Sequence, residues 1–492
     1  MSLNFADVVV LGNDLSGLIA GSLLAKRGLG VLVLEENPAT QPSISILPPR
    51  PLRGLGSPFF RSFLGVLGIP ENKFHWSPTE EPIFQVVMPK ARIDLFPDRS
   101  LLTDELTRTW PNDRIGLTEF LEGAQAARVK LERAKIWDLF PLNNPKDEKA
   151  ARMIWSEIPE LGQLENAFKR LSAPAKTFFH AILKTLAPID CSLPTLSQAI
   201  FFFSEEGLNA QRVQIRDGLL RKWLAEKLEY FGGEVRPYRT LEELKFARKL
   251  STGLKISGFQ AETKFRYVLA NTDIASVTPF IPRNFWFNGF RNRLKKYVPS
   301  HCTCSAVYQI PAELLPLGLA PTILCIDDIE KPLLGLNYLQ LMPVIDPAEH
   351  GGMAQIIVTY RLSVGDLSQG LGYFDKLHEI IRLKLEALFP FSDGQVELMF
   401  PREVSGEGTG ELFDEEPRTF QSFKTLARHD LIYASDPREG QGLHSLGNMT
   451  PYHNLFLTGP QVLGHLGTEG KILCGLRAAD LIWEQEKIHR EG

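Results

Sequence analysis

The apolar positions of the first forty residues change period twice. Val8-Val9-Val10-Leu11 is a continuous, β-branched run, the pattern of a strand buried on both faces. Gly12 ends it. Leu15, Leu18, Ile19 and Leu23 then recur at helical spacing. Gly17, Ala20 and Gly21 on that helix are small enough to let it lie close to a sheet. Gly28 and Gly30 close the helix, and Val31-Leu32-Val33-Leu34 gives a second strand ending at Glu35-Glu36. The pattern predicts a complete strand-turn-helix-strand unit.

The chemistry such a unit supports is phosphate binding, because free amides at a helix N-terminus point at an anion. In the usual turn one glycine permits the bend, a second lets the backbone approach a pyrophosphate, and a third allows close packing; an acid ending the second strand takes a ribose hydroxyl. Gly12, Gly17 and Glu35 occupy three of these places. The turn reads Gly12-Asn13-Asp14-Leu15-Ser16-Gly17, so the middle glycine is replaced by Asp14. A carboxylate about 5 Å from a phosphate costs roughly 3 kcal/mol per unit charge at an effective dielectric near 20. Two arrangements remain open: a dinucleotide bound with Asp14 turned aside, or an anion site filled by Asp14 itself.

Further along, residues 70–205 mix helical patterns with Pro-rich joints, and Glu119–Trp137 reads as a polar-faced helix. Ser305–Pro311 and Ala354–Leu362 read as strands, consistent with a sheet flooring a cavity. Tyr373–Phe391 predicts an amphipathic helix with Leu377, Ile380, Ile381, Leu385, Leu388 and Phe389 on one side. Ser405–Pro417 is acidic and Gly-rich and reads as a solvated loop.

Three stretches together carry a resemblance. Asp7–Pro38 resembles the N-terminal FAD fingerprint of the phytoene desaturase and flavin amine oxidase superfamily. Arg216–Val277 is similar to that superfamily's second FAD block: Gly218, an amphipathic helix, the Gly232-Gly233 turn, a strand ending near Leu241, and a closing strand with Asn271–Asp273. Asn454–Trp483 resembles the C-terminal FAD motif and its helix. The resemblance implies an α/β fold: a discontinuous Rossmann-like FAD-binding domain from 1–70, 205–280 and 445–492, and an α+β substrate domain from 71–204 and 281–444. It further implies FAD as cofactor, with Gly12, Asp14, Leu15 and Gly17 at the diphosphate, Glu35 at the adenosine ribose and Leu241 at the adenine. Gly459, Gly470 and Ile472 would flank the ribityl chain and ring. The implied activity is hydride transfer between flavin and a hydrophobic, isoprenoid-like substrate. His465 is the one catalytic candidate near that ring.

The chain also departs from that pattern. Where relatives carry a Gly-Gly-Arg element after the ribose acid, this chain has "NPATQPSISILPPRP", and Gly459 is followed by Pro460 and Gln461 rather than an acid. These departures fit the alternative of a flavin-free member of the same fold that binds lipid or protein, as the Rab GDP-dissociation inhibitors do.

Composition narrows the remaining possibilities. The 54 Lys and Arg against 58 Asp and Glu give a net charge of −4, which argues against nucleic acid as a partner. Five cysteines are too few and too scattered for a disulfide framework or zinc ribbon and read as reduced buried thiols of a cytoplasmic protein. Asp7 and Asn13-Asp14 interrupt the first apolar stretch too early for a signal peptide or spanning helix. Peripheral contact with a membrane stays open through Phe201-Phe202-Phe203 and the basic Arg291–Lys296, which read otherwise as core and as a solvated helix face. The "GTEGKI" segment lacks the hydroxyl residue a Walker loop needs, and no H-E-x-x-H occurs, so neither a nucleotide loop of that type nor a zincin site is expected.

Overall fold

The computed structural model describes residues 5–36, 51–187, 189–190, 196–238, 240–257, 262–272, 274–282, 288–295, 297–345, 352–366, 371–400, 430–434 and 446–491. The expected Ser405–Pro417 loop, Asp273 and the "NPATQPSISILPPR" stretch lie outside these residues.

In chain order, β1 (Phe5–Leu11), α1 (Leu15–Lys26) and β2 (Val31–Glu36) form the opening unit. They are followed by β3 (Phe84–Met88), a run of helices between Arg99 and Phe203, then α2 (Asp217–Tyr230), β4 (Glu234–Tyr238) and β5 (Lys264–Ala270). The long strands come next: β6 (Pro299–Pro311), β7 (Ile323–Ile326), β8 (Tyr338–Val344) and β9 (Met353–Ser363). Helix α3 (Leu371–Leu388), β10 (Leu455–Leu457) and α4 (Gly467–Glu491) complete the sequence of elements used below.

Two sheets organise the molecule. The first is parallel, in the order β10-β5-β1-β2-β4, so its strands come from three widely separated stretches of chain. Val8 to Leu11 are fully buried in it. Helix α1 is covered on both sides: every residue from Leu15 to Ala25 is buried, because the sheet lies under it while α2 and α4 lie over it. Gly475 of α4 is what lets these helices approach, since a Cβ there would sit 2.5 Å from the Ser16 carbonyl. This is an α/β, Rossmann-like architecture.

The second sheet has nine strands and is mostly antiparallel. Its path runs Ala91–Leu95, β3, β7, β8, β9, β6, Asp430–Ala434, Ile189–Asp190, with Glu397–Phe400 also on β6. Its side chains alternate as the pleat requires. Cys302, Cys304, Ala306, Tyr308 and Ile310 of β6, with Ala354, Ile356, Val358, Tyr360 and Leu362 of β9, form one cluster with Leu377, Ile381 and Leu385 of α3. The intervening residues turn the other way.

Several expectations are refined. The helix expected over Glu119–Trp137 runs Arg114–Arg133, with a 3-10 turn at Ile136–Leu139. Ile380, expected on the apolar side of α3, is 40% exposed. The strand expected to end near Leu241 stops at Tyr238, the last residue paired with β2. Leu241 instead opens a hairpin strand, Leu241–Ala247, paired with Leu250–Ile256. Phe201 and Phe203 are core, packed on Trp137, Phe120 and Phe179. Cys302, Cys304 and Cys474 are buried free thiols. Among the described residues no helix is long and apolar enough to cross a membrane, and no cluster suited to a metal ion occurs.

Candidate functional site

The turn after β1 has the backbone of a phosphate cradle. Gly12 has φ +101°, and a Cβ there would meet the Asn271 carbonyl at 2.7 Å. Gly17 packs closer still: its Cβ would lie 2.2 Å from Asn271 Oδ1. Asn271, at the end of β5, donates from Nδ2 to Ser16 Oγ at 2.8 Å. The first and third glycines therefore serve tight bending and close packing.

Asp14 immediately precedes α1. Its carbonyl accepts from Gly17 and Leu18, as the residue preceding a helix should. Its carboxylate does not cap the helix. It points across the turn into two cations. Arg221 of α2 reaches it at 3.2 Å and also donates to the Asn13 carbonyl at 3.1 Å. Lys471, in the first turn of α4, reaches it at 3.1 Å. Burial pushes the Asp14 carboxyl up, but Lys471, Arg221 and the Leu15 amide outweigh that and hold it below its ordinary value. Asn13 meanwhile donates from Nδ2 to Glu35 Oε1 at 2.6 Å, so the acid at the end of β2 already has an intramolecular partner.

The C-terminal motif is tightly wound. Gly459 has φ +113° and precedes the short helix Pro460–Leu463. Pro460 stands at its first position, where the missing N–H deprives the helix of nothing. A Cβ on Gly470 would lie 2.1 Å from the Leu463 carbonyl. The Ile472 side chain is fully buried in the core beneath α1. His465 is fully buried, and Gln198 donates to its carbonyl at 3.3 Å; it is not among the residues lining the adjoining cavity.

That cavity, about 200 Å³, lies between the start of α4 and the second face of the nine-stranded sheet. The sheet contributes Thr303, Gln340, Met342, Thr359 and Arg361, and the motif contributes Leu466 to Glu469 and Lys471. Thr303 pairs with Arg361, and Gln340 with Thr359, which groups these side chains on one face. Arg53, Gly54, Gln211, Thr185 and Phe202 close the remaining walls. The Arg53 guanidinium donates to Thr322 Oγ1 at 2.7 Å and stacks 4.7 Å from the Phe84 ring centre. Arg361 donates to the Lys184 carbonyl. Glu469 is buried, and that burial pushes its carboxyl up, opposed by the Arg128 charge and a Ser57 hydrogen bond.

The structure thus brings Gly12, Asp14, Leu15 and Gly17 together at the turn, with Glu35 beside it through Asn13. It leaves Leu241 in the hairpin and sends the His465 and Ile472 side chains into the interior. Arg221, Arg53 and Arg361 were not anticipated. For Arg361 and the threonines a signal existed: in Cys302-Thr303-Cys304-Ser305 and Val358-Thr359-Tyr360-Arg361, polar residues alternate with the residues that face α3.

No family model matches the sequence, and no curated protein matches it. Solved structures do match in three dimensions. An oxidoreductase from Methanosarcina mazei superposes at TM-score 0.58 with 12% identity, over 96% of this chain and all of the other. Cyclohexylamine oxidase from Brevibacterium oxydans gives 0.55 at 14%, over 98% and 99%. A cofactor-site variant of putrescine oxidase gives 0.57 at 14%, over 98% and 99%. The chain shares its overall fold with this oxidoreductase and these two amine oxidases.

Proposed function

We propose that this chain is a binding protein built on a flavin-oxidoreductase fold, and that it does not work by hydride transfer to FAD. One observation carries this reading: the Asp14 carboxylate is held between Arg221 and Lys471. A dinucleotide at the α1 turn would lie beside Asp14, whose carboxylate contacts Arg221 and Lys471. Its diphosphate would meet a carboxylate, at roughly 3 kcal/mol per unit charge at about 5 Å. The two cations that would offset this are both engaged by that one carboxylate, which leaves the cluster a single net positive charge. With a carboxylate at the turn and both nearby cations engaged by it, the site does not fit FAD.

A second reading, FAD-dependent hydride transfer, draws on the retained backbone of the cradle: the positive φ at Gly12 and the close approach at Gly17. It requires a diphosphate to compete with Asp14 for Arg221 and Lys471. It gains no support for an isoprenoid-like substrate, because the sheet face turned to the cavity carries Thr303, Gln340, Thr359 and Arg361.

The test is direct. The purified protein is expected to be colourless and to take up no added FAD in a fluorescence titration. Asp14→Gly, which restores the middle glycine and frees both cations, is expected to bind FAD at least about a hundredfold more tightly than the parent. Stoichiometric flavin in the parent protein would overturn the proposal in favour of the second reading.

A further inference from the structure

The cavity against the nine-stranded sheet has a buried cation, Arg53, on one wall. Arg53 is 8% exposed. Its contacts are a neutral hydroxyl, Thr322, and a neutral ring, Phe84. Among the described residues no carboxylate pairs with it, and burial alone pushes its guanidinium down to about 10. A buried cation is costly unless an anion meets it, and an aromatic stack offsets only part of that cost. Arg361, 7% exposed, stands on another wall, projecting from the sheet face opposite α3. The polar groups nearby suit an anion's oxygens: the hydroxyls of Thr303 and Thr359 and the amide of Gln340. Gln211, 3% exposed, also lines the space, and its Oε1 has no hydrogen-bond partner among the described residues.

Two other ionisable groups face the same space. Lys471 is committed to Asp14. Glu469 is drawn toward neutrality by burial and is met by the Ser57 hydroxyl and the charge of Arg128. Neither answers Arg53.

We propose that this cavity is the binding site of a small organic anion, a carboxylate or phosphate compound, whose charged end is held by Arg53 and Arg361 and whose neighbouring oxygens are met by Thr303, Thr359 and Gln340. At about 200 Å³ the cavity is below the roughly 300–1,000 Å³ of pockets for drug-sized ligands. It therefore takes a compact metabolite rather than a lipid chain. Guanidinium groups match both anions bidentately, so carboxylate and phosphate share this chemistry. The proposal gives the binding protein argued for above its ligand class, but it rests on the sheet and Arg53, not on the state of the Asp14 turn.

The experiment is thermal denaturation and isothermal titration of the full chain with inorganic phosphate, with succinate, and with succinamide as the uncharged counterpart. Saturable stabilisation by phosphate or by succinate, and none by succinamide, is expected; which anion acts identifies the source. Arg53→Met keeps the stack on Phe84 and removes the buried charge, so it is expected to fold at least as stably as the parent while binding the active anion about 10- to 100-fold more weakly. Arg361→Gln is expected to weaken binding similarly. Lys169→Gln, an exposed helix position outside the cavity, is expected to bind as the parent does. No saturable effect of either anion overturns the proposal, as does binding undiminished in both Arg53→Met and Arg361→Gln. Uptake of FAD by the parent would overturn the flavin-free reading and leave this test standing.

Discussion

Replacing Asp14 with Asn keeps the shape of the side chain and removes its charge. At an effective dielectric near 20, each cation 3.1–3.2 Å away contributes about 5 kcal/mol of gross attraction. Most of that is cancelled by the cost of taking the charges out of water. Breaking a fully buried pair costs about 3–5 kcal/mol, because a bare charge is left inside. Here Arg221 keeps 31% and Lys471 20% of side-chain exposure. The freed ends can partly re-enter water, and a loss of about 2 kcal/mol remains. The pH dependence follows from the sign of the shift. The folded-state pKa of Asp14 lies below its ordinary value, so the carboxylate stabilises the fold fully above about pH 4 and loses that effect as pH falls through the lowered pKa. Urea denaturation should show the midpoint of Asp14→Asn below that of the parent by the equivalent of about 2 kcal/mol at pH 7, with unchanged slope. The gap should close below pH 4. Equal stability at pH 7, or a gap as large at pH 3 as at pH 7, would refute the ion-pair reading of this turn.

Three further outcomes are expected. Gly17→Ala places a Cβ 2.2 Å from Asn271 Oδ1 and should destabilise by about 2 kcal/mol or more in the same urea assay; Gly28→Ala, where a Cβ meets nothing, should lose less despite its φ of +88°. Glu486 is fully buried and accepts from Arg266 at 2.6 Å and Arg490 at 2.8 Å, so Glu486→Gln should cost about 2–3 kcal/mol by thermal denaturation. Burial, with Lys184 and Lys176 adding, pushes His180 down to about 4. Its neutral form then favours the fold above its ordinary pKa, and stability should fall by about 2 kcal/mol from pH 6.5 to pH 4, a slope that His180→Gln should flatten.

Local pattern reveals much of this molecule. The opening unit is legible because a β-branched run, a glycine and a 3.6-residue period each have few alternatives. The long strands β6 and β9 are legible for the same reason. The site is harder to read. Asp14 is visible as an oddity in its turn, but its partners are 207 and 457 positions away in sequence, and no local rule pairs them. The end of the strand before Leu241 is not legible because that strand and the hairpin after it share one stretch of mixed polarity. The polarity of the cavity was missed although the alternation in β6 and β9 carries it. What that alternation does not tell is which side meets α3; only the assembled sheet decides.

The parallel sheet has a further consequence, for biosynthesis. Its edge strand β10 and the helix seated on α1 are the last elements of the described chain to be translated, yet β1 and α1 are among the first. At about 5–20 residues per second, α1 precedes the helix that covers it by on the order of half a minute to a minute and a half. During that interval the side of α1 that meets α4 lacks its cover. The yield of this fold should therefore respond to chaperones that shield early hydrophobic segments.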